Sequence, residues 1–529
     1  MKTLQTSVRA SEGIAIGRAF VVRRAAVVTR EQRGSDEYEL QLFTAALAQS
    51  RAQIEQFAED NDIFAAHLEI VDDPMLSEAV ESHIADGKSA DEAVAAASEE
   101  LVAMFEAMDD EYLSARAADI KDIFLRIAAN LAGGVTNPFE GVAQGDIIVD
   151  NELLPSDMAL IDLTQVRGFV TADGSATSHI CIMARNYSLA AVVGLGEAVK
   201  QIEAGATIIV DGTEGRVIVN PDEATMNDYL LRELNLKALR NEQQQAAHCA
   251  LSYKGQSVAV LANAGSVEEV EQAIAAGADG IGLFRSEFLY MQSATAPSEE
   301  VQYEAYSAAA RACQGKPITI RTLDIGGDKA LPYLQFPKEE NPFLGWRAIR
   351  VSLQMREMFT CQLRAILRAS VYGDVRIMFP MIVSTEELEL AREILEQCKT
   401  SLAEQGVAYN PNIKVGIMIE TPAAVFIADT LAAQCDFFSI GTNDLVQYVM
   451  AADRANVKVS HLYNPYSEAV TRAIAHTLAA ANSAGIECSM CGEFASDSVA
   501  TESLLEASLR KFSVNIGAIA KIKYTILKL

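Results

Sequence analysis

Apolar positions along this chain follow different periods, and the changes of period divide it into zones. From residue 31 to 134, Leu40, Phe43, Leu47, Ile54 and Phe57 recur at helical spacing, which predicts helices that turn one face to a core. A last helix over about 110–132 ends at Gly133-Gly134, with Pro138 beyond it as a stop. From about 140 the pattern shortens to β-branched runs between turns: DIIVD (146–150), GFVTA (168–172), AAVVG (190–194), TIIV (207–210) and RVIVN (216–220). The last two flank DGTEG, a hairpin signal, and a helical segment at about 178–187 lies among them. GIAIGRAFVV (13–22) has the same strand character. The helical zone therefore reads as an insertion into a small α/β domain.

Residues 226–247 are polar, rich in helix formers and free of Gly and Pro, as a connecting helix would be. Beyond them strand and helix patterns alternate. SVAVLAN (257–263), GIGLFR (280–285), ITIRTLD (318–324), VRIMFPM (375–381), KVGIMIE (414–420), FFSIGTN (437–443), IECSMC (486–491) and KFSVN (511–515) are eight apolar runs with helical stretches between them. Eight strand–helix units over about 250 residues predict a parallel (β/α)8 barrel, whose chemistry belongs at the C-terminal ends of its strands.

The 529 residues are half apolar, enough to build several large cores. No apolar run nears the roughly 20 residues of a membrane span, and MKTLQTSVRASEGIAIG has no signal-peptide core. A net charge of −29 argues against a nucleic-acid binder. It is first of all a well-solvated surface, and secondly a surface able to steer a basic partner. Eight scattered cysteines form no disulfide framework, which fits a soluble protein of the reducing cytoplasm. Cys488 and Cys491 form a C-x-x-C without the second pair that a zinc site needs.

Polar residues crowd the ends of the apolar runs. Arg285 ends the second run; Arg321 lies in the third, ahead of Asp324-Ile325-Gly326-Gly327-Asp328-Lys329; Glu420, Asn443-Asp444 and Cys491 close later ones. Singly, each arginine reads as a surface ion-pair partner and Cys491 as an inert buried thiol. Together they form a chemical set. Glu420 and Asp444 offer oxygen ligands to Mg2+. Arg285 and Arg321, joined by Arg454, present planar forks to phosphate oxygens. Asn443 can donate to a substrate oxygen, and Cys491 can protonate the enolate left when an enol ester loses its phosphate.

Among six histidines, His179 stands at a predicted helix start after strand 168–172, with Gly174 for the turn and Thr177 or Ser178 as N-cap. Helix N–H groups there favour an anion such as a phosphorylated imidazole, and Arg185 lies about two turns on. The plain alternative is a histidine that merely begins a helix. No dinucleotide loop or P-loop occurs.

TSHICIMAR (177–185), GIGLFRSEFLY (280–290), RTLDIGGDK (321–329), ENPFLGWRAIR (340–350), IETPAA (419–424), FFSIGTNDLVQY (437–448), MCGE (490–493) and MDDEYL (108–113) resemble the segments of one family. It is Enzyme I, the phosphoenolpyruvate–protein phosphotransferases of the bacterial sugar phosphotransferase system, and the resemblance runs over nearly the whole chain. It implies that His179 is the phosphorylated histidine and Cys491 the proton donor. It puts Arg285, Arg321, Asn443, Asp444 and Arg454 on phosphoenolpyruvate, Glu420 and Asp444 on Mg2+, and Arg185 and Arg347 in support. It implies a swivelling phosphohistidine α/β domain (1–22 and 138–225), a helical domain (23–137) that docks the carrier protein HPr, a linker helix (226–247) and a phosphoenolpyruvate-binding barrel (248–529) that forms a homodimer. Pyruvate is the second product.

Three departures from the family pattern stand out. Gly174-Ser175-Ala176 precedes Thr-Ser-His where Gly-Gly and a basic residue are usual, Glu12 replaces a proline, and KIKYTILKL ends the chain where relatives continue. They motivate a second reading, a regulatory homologue with impaired turnover, although every matched catalytic position is filled. A third reading, a pyruvate phosphate dikinase or phosphoenolpyruvate synthase relative, needs a nucleotide-binding domain for which this chain has no room.

Overall fold

The computed structural model describes the chain except residues 7, 23–32, 59–61, 107–110, 135–136, 175–178, 188, 292, 294, 327–330, 332, 335, 338, 455 and 457. Within elements it leaves aside the side chains of 9, 57, 58, 62, 63, 65, 106, 111–115, 159, 179, 180, 182 and 186. Phe57, Met108-Asp109-Asp110, Ser175-Ala176, Thr177, Ser178, Gly327-Asp328-Lys329 and the side chain of His179 thus lie outside what is described. Two compact units are present, Met1–Ala238 and Leu239–Leu529.

In the first unit, β1 (Lys2–Gln5), β2 (Arg9–Ser11), β3 (Ile14–Val21), β4 (Ile147–Asp150), β5 (Gly168–Thr171), β6 (Ala190–Val192), β7 (Thr207–Asp211) and β8 (Arg216–Val219) form one sheet. Its order is β1-β8-β7-β3-β4-β5-β6-β2. β3 to β6 run parallel, and the remaining pairings are antiparallel. The β7–β8 hairpin turns at 212–215 as DGTEG predicts. A side chain at Gly212 would fall 1.8 Å from the Ser11 carbonyl, so that turn admits only glycine.

Between β3 and β4 lie α1 (Asp36–Ala58), α2 (Asp62–Val71), α3 (Pro74–Ala85), α4 (Ala90–Glu106) and α5 (Glu111–Leu131). They share a core that includes Phe43, Ile54, Phe64, Val80, Ile123 and Phe124. Asp122 of α5 accepts from both the backbone N (2.8 Å) and Oγ (2.7 Å) of Ser156 at the start of α6 (Pro155–Leu160). This joins the helices to the sheet. His67 and His83 are engaged locally, with Asp119 at 3.2 Å and Glu100 at 3.1 Å.

In the second unit, β9 (Leu251–Tyr253) is a short flap on β10 (Gln256–Ala264). β11 (Ile281–Arg285), β12 (Ile318–Arg321), β13 (Val375–Phe379), β14 (Lys414–Ile419), β15 (Phe437–Gly441), β16 (Glu487–Cys491) and β17 (Lys511–Val514) follow. All are parallel, and β17 pairs back onto β10, closing an eight-stranded barrel. Alternate residues face the interior, where Leu283, Met378, Met418, Phe437 and Cys491 pack together. Their neighbours face the helices in a larger shell. The same alternation separates Cys488, which packs against that shell, from Cys491, so the C-x-x-C presents no joint metal site. The helix Ile519–Lys528 seals the barrel through Ile519, Ile522 and Ile526, and its buried Lys523 bonds Asp279 at 2.8 Å. No disulfide bond joins any of the eight cysteines. Among the described residues, no helix is long and apolar enough to cross a membrane.

At the N-terminal mouth of the barrel, Glu487 is ringed by Arg376 (2.7 Å), Lys511 (2.8 Å) and Lys414 (3.5 Å). Burial works against its charge, yet the three cations prevail and hold the carboxyl down at about 2. The folded value lies below the roughly 4.3 of an unfolded glutamate, so the stabilisation is present above that value and fades as pH falls toward 2. Glu487→Gln is expected to lower the urea midpoint of the barrel at pH 7 by an amount worth about 1 kcal/mol, solvent screening included. The gap should narrow from pH 5 downward. A gap constant over that range would assign the loss to packing instead.

Candidate active site at the barrel mouth

Each apolar strand ends where its run breaks into polar residues, and the closed barrel brings those ends together. Arg285 and Arg321 are register partners on β11 and β12. Arg321 is buried: its Nη2 donates to Glu287 Oε1 at 2.6 Å and its Nη1 lies 3.1 Å from Asp324 Oδ2. Glu287 Oε1 also accepts from the backbone N of Asp324 at 3.2 Å. Arg347, equally buried, donates through Nη2 to Asp324 (3.0 Å) and Asp444 (3.3 Å), and through Nη1 to Tyr448 Oη (3.1 Å). Burial lowers the pKa of both guanidiniums. The surrounding carboxylates outweigh it and raise both above their usual value, so the pair stays charged.

Glu420, at the end of β14, is 1% exposed and accepts from the backbone N of Met381 at 2.7 Å. Burial first, then the charges of Asp444 and Asp324, push its carboxyl well above the usual carboxylate range, against the pull of Arg321 and Arg347. Met381 (φ 56°) and Ala348 (φ 52°), beside Glu420 and Arg347, hold left-handed backbone that costs about 1 kcal/mol or more each. Such strain persists where surrounding contacts over-determine the site. At Gly441 a side chain would meet Glu420 Oε2 at 2.9 Å and Met418 Sδ at 2.8 Å, which explains a glycine at the end of β15.

β15 passes straight into the helix Thr442–Met450, whose first turn carries Asn443 and Asp444. Asn443 Oδ1 accepts from the backbone N of Glu493 at 3.0 Å, which orients the amide and leaves its NH2 to donate. Tyr463 Oη donates to the Asn443 carbonyl at 3.1 Å, and the charge of the exposed Arg454 acts on that tyrosine. Cys491 is buried at the end of β16, where burial pushes its thiol up to about 11. It is therefore a protonated thiol at neutral pH.

The barrel thus gathers Arg321, Arg347, Glu420, Asp444, Asn443 and Cys491. Arg285 stands at the rim, half-exposed, over the ring of Phe288 and 3.8 Å from Glu269. Four polar atoms of this group, Nε of Arg285, Arg321 and Arg347 and Oε2 of Glu287, are buried without a hydrogen-bond partner. Such atoms are costly to leave unmade unless a ligand completes them. Three partnerless arginine nitrogens suit an anion.

His179 opens α7 (His179–Asn186) in the other unit, after β5 and Gly174, whose φ of 121° makes the turn. Cys181 and Ala184 of α7 pack into the core. Arg185 is exposed, and its Nε donates to the Ala10 carbonyl at 2.8 Å, tying α7 to β2. Sequence reasoning placed Asp324 at a strand end without a role and missed Glu287 and Tyr448 as members of the cluster. The Arg321–Asp324 spacing of three hints at one pair; the others meet only through the closed barrel.

Three family models match the chain: "PEP-utilising enzyme, N-terminal" over residues 6–116, "PEP-utilising enzyme, mobile domain" over 142–215 and "PEP-utilising enzyme, PEP-binding domain" over 239–529. A phosphoenolpyruvate-protein phosphotransferase of Bacillus sp. (strain S) is 42% identical, covering 99% of this chain and 95% of its own. Proteins of the same name from Geobacillus stearothermophilus (42%, 99% and 92%) and Bacillus subtilis strain 168 (42%, 98% and 93%) are equally similar. An NMR structure entitled Enzyme I (nEIt) shares 38% identity over 44% of this chain and 99% of its own. Its TM-score of 0.38 is too loose to add to the sequence identity.

Proposed function

Since this chain belongs to the phosphoenolpyruvate-protein phosphotransferase family, we propose that His179 takes the phosphoryl group of phosphoenolpyruvate bound at the barrel mouth and passes it to a histidine of HPr, as the first step of sugar uptake. The observation that carries this reading is the buried strand-end cluster, whose arginine nitrogens lack partners beside two carboxylates and a protonated thiol.

Phosphoenolpyruvate needs charge compensation at its phosphate and carboxylate and a proton at the carbon that becomes the pyruvate methyl. Arg285, Arg321 and Arg454 supply forks for the anionic oxygens. Arg347 orients Asp444 and completes the positive field, and the oriented Asn443 amide donates to the substrate. His179 attacks the phosphorus, and Cys491 protonates the departing enolate. Arg185 anchors α7, which carries His179. One imidazole serving two partners in turn requires the α/β domain (1–22 and 138–225) to swivel as a body, between the barrel (248–529) and a carrier docked on the helical domain (23–137), with 226–247 as linker.

The family works with a divalent metal, and we assign it as Mg2+ on Glu420 and Asp444. The fit rests on chemistry: Glu420 is pushed toward its neutral form by burial and by neighbouring acids, an instability that a hard cation removes. Among the described residues no three His, Cys, Asp or Glu side chains gather as a metal cluster. Two protein ligands leave the other positions to water and substrate oxygens, the habit of Mg2+. Bound there, the ion would neutralise phosphate charge. The protein is read as cytoplasmic and as a homodimer through its barrel.

Labelled phosphoenolpyruvate with Mg2+ and no ATP is expected to leave near-stoichiometric acid-labile, base-stable phosphate on the protein and to release pyruvate. A folded sample that takes up no label would favour the regulatory reading.

A further inference from the structure

One buried group beside the proposed proton donor has no part in the mechanism so far. Ser439 lies inside the barrel on β15, two residues before Gly441, which is the register partner of Cys491. Its Oγ donates to Cys491 Sγ at 3.4 Å, and both side chains are buried. Leu283, Met378, Met418 and Phe437, which pack around the thiol, offer sulfur no hydrogen-bond donor. Burial raises the thiol, while the Ser439 hydroxyl and the charge of Arg321 pull the other way.

We propose that Ser439 is a positioning residue for proton transfer at Cys491: its hydroxyl directs the thiol and holds the thiolate that remains once the proton has left. This rests on the reading of Cys491 as proton donor. With a sulfur lone pair engaged by Ser439, the S–H bond is free to point away from it. In the transfer, the S–H bond breaks and the enolate π pair forms the new C–H bond. The enolate oxygen becomes the ketone of pyruvate, the negative charge passes to sulfur, and solvent water later restores the proton. As charge develops on sulfur, the Ser439 bond becomes charge-assisted and about twice as strong. In an apolar layer this donor replaces the solvation that water would supply. At neutral pH the resting group is the thiol. The reverse route, loss of the thiol proton followed by removal of a pyruvate methyl proton, passes through the same Ser439-stabilised transition state. It gains equally when counted from that resting thiol.

The test is exchange of pyruvate methyl protons in D2O, followed by proton NMR with the full chain and Mg2+. Wild type should exchange and Cys491→Ala should not. Ser439→Ala should exchange roughly 10- to 100-fold more slowly, as loss of one hydrogen bond to a charged group implies. Its dissociation constant for phosphoenolpyruvate should stay within about twofold, because its partner is the thiol and not the substrate. Wild-type exchange in Ser439→Ala would overturn the assignment. So would a loss of phosphoenolpyruvate affinity as large as the loss of exchange, which marks a packing role. No exchange in wild type, or undiminished exchange in Cys491→Ala, would instead remove Cys491 as proton donor, and Ser439 with it.

Discussion

His179→Ala is expected to form no phosphoenzyme at all, while its barrel binds phosphoenolpyruvate with Mg2+ to within about twofold of the parent. The two halves of this result test different residues. Phosphate bound to nitrogen needs an imidazole at the reacting phosphorus, and only His179 stands at a helix start in the matched mobile domain. His67 and His83 are paired with acids in the helical region. Binding is a property of the strand-end cluster, which contains no histidine. Acid-labile label persisting on the variant would transfer the acceptor role to His461, two residues from Tyr463 at the mouth, and His461→Ala would then lose it. Binding measured by calorimetry separates a lost nucleophile from a damaged barrel.

Arg321→Lys should cost roughly 10²-fold or more in kcat/KM for phosphoenolpyruvate, although the charge is unchanged. The guanidinium spans Glu287 at 2.6 Å and Asp324 at 3.1 Å and still has a buried Nε without a partner. A lysine ammonium on its flexible stem cannot meet both carboxylates and face a phosphate in one geometry. It would leave one buried acid uncompensated, and that acid would push the neighbouring Glu420 further toward its neutral form. A loss of less than about tenfold would place the phosphate on Arg285 and Arg347 instead.

The barrel was readable from the chain because its strands are short, largely buried runs, most of them rich in β-branched and aromatic residues, with β16 (ECSMC) carried by Cys and Met instead. From SVAVLAN to KFSVN, every predicted run overlaps an observed strand. Strands β1 and β2 were not readable. KTLQ exposes three of its four residues and RAS has only three, so neither carries an apolar run; each exists because a neighbouring strand offers it a ladder. The same division holds for the site. Arg285, Arg321, Glu420 and Cys491 stand where an apolar run breaks, a signal local to the sequence. Glu287, Tyr448 and Ser439 derive their roles from neighbours 34, 101 and 52 positions away. No local pattern encodes such pairings.

The sheet of the first unit has a consequence for synthesis. Val21 of β3 finds its parallel partner only at Val149, and Lys2 of β1 pairs with Val219. On a ribosome adding about 5–20 residues per second, β3 waits several seconds or more for β4, and β1 waits longer still. Meanwhile the five helices between them emerge in order and can bury their shared core. The nascent chain therefore carries a finished helical bundle while the strands that precede it remain unpaired, and those strands are what a chaperone would have to shield.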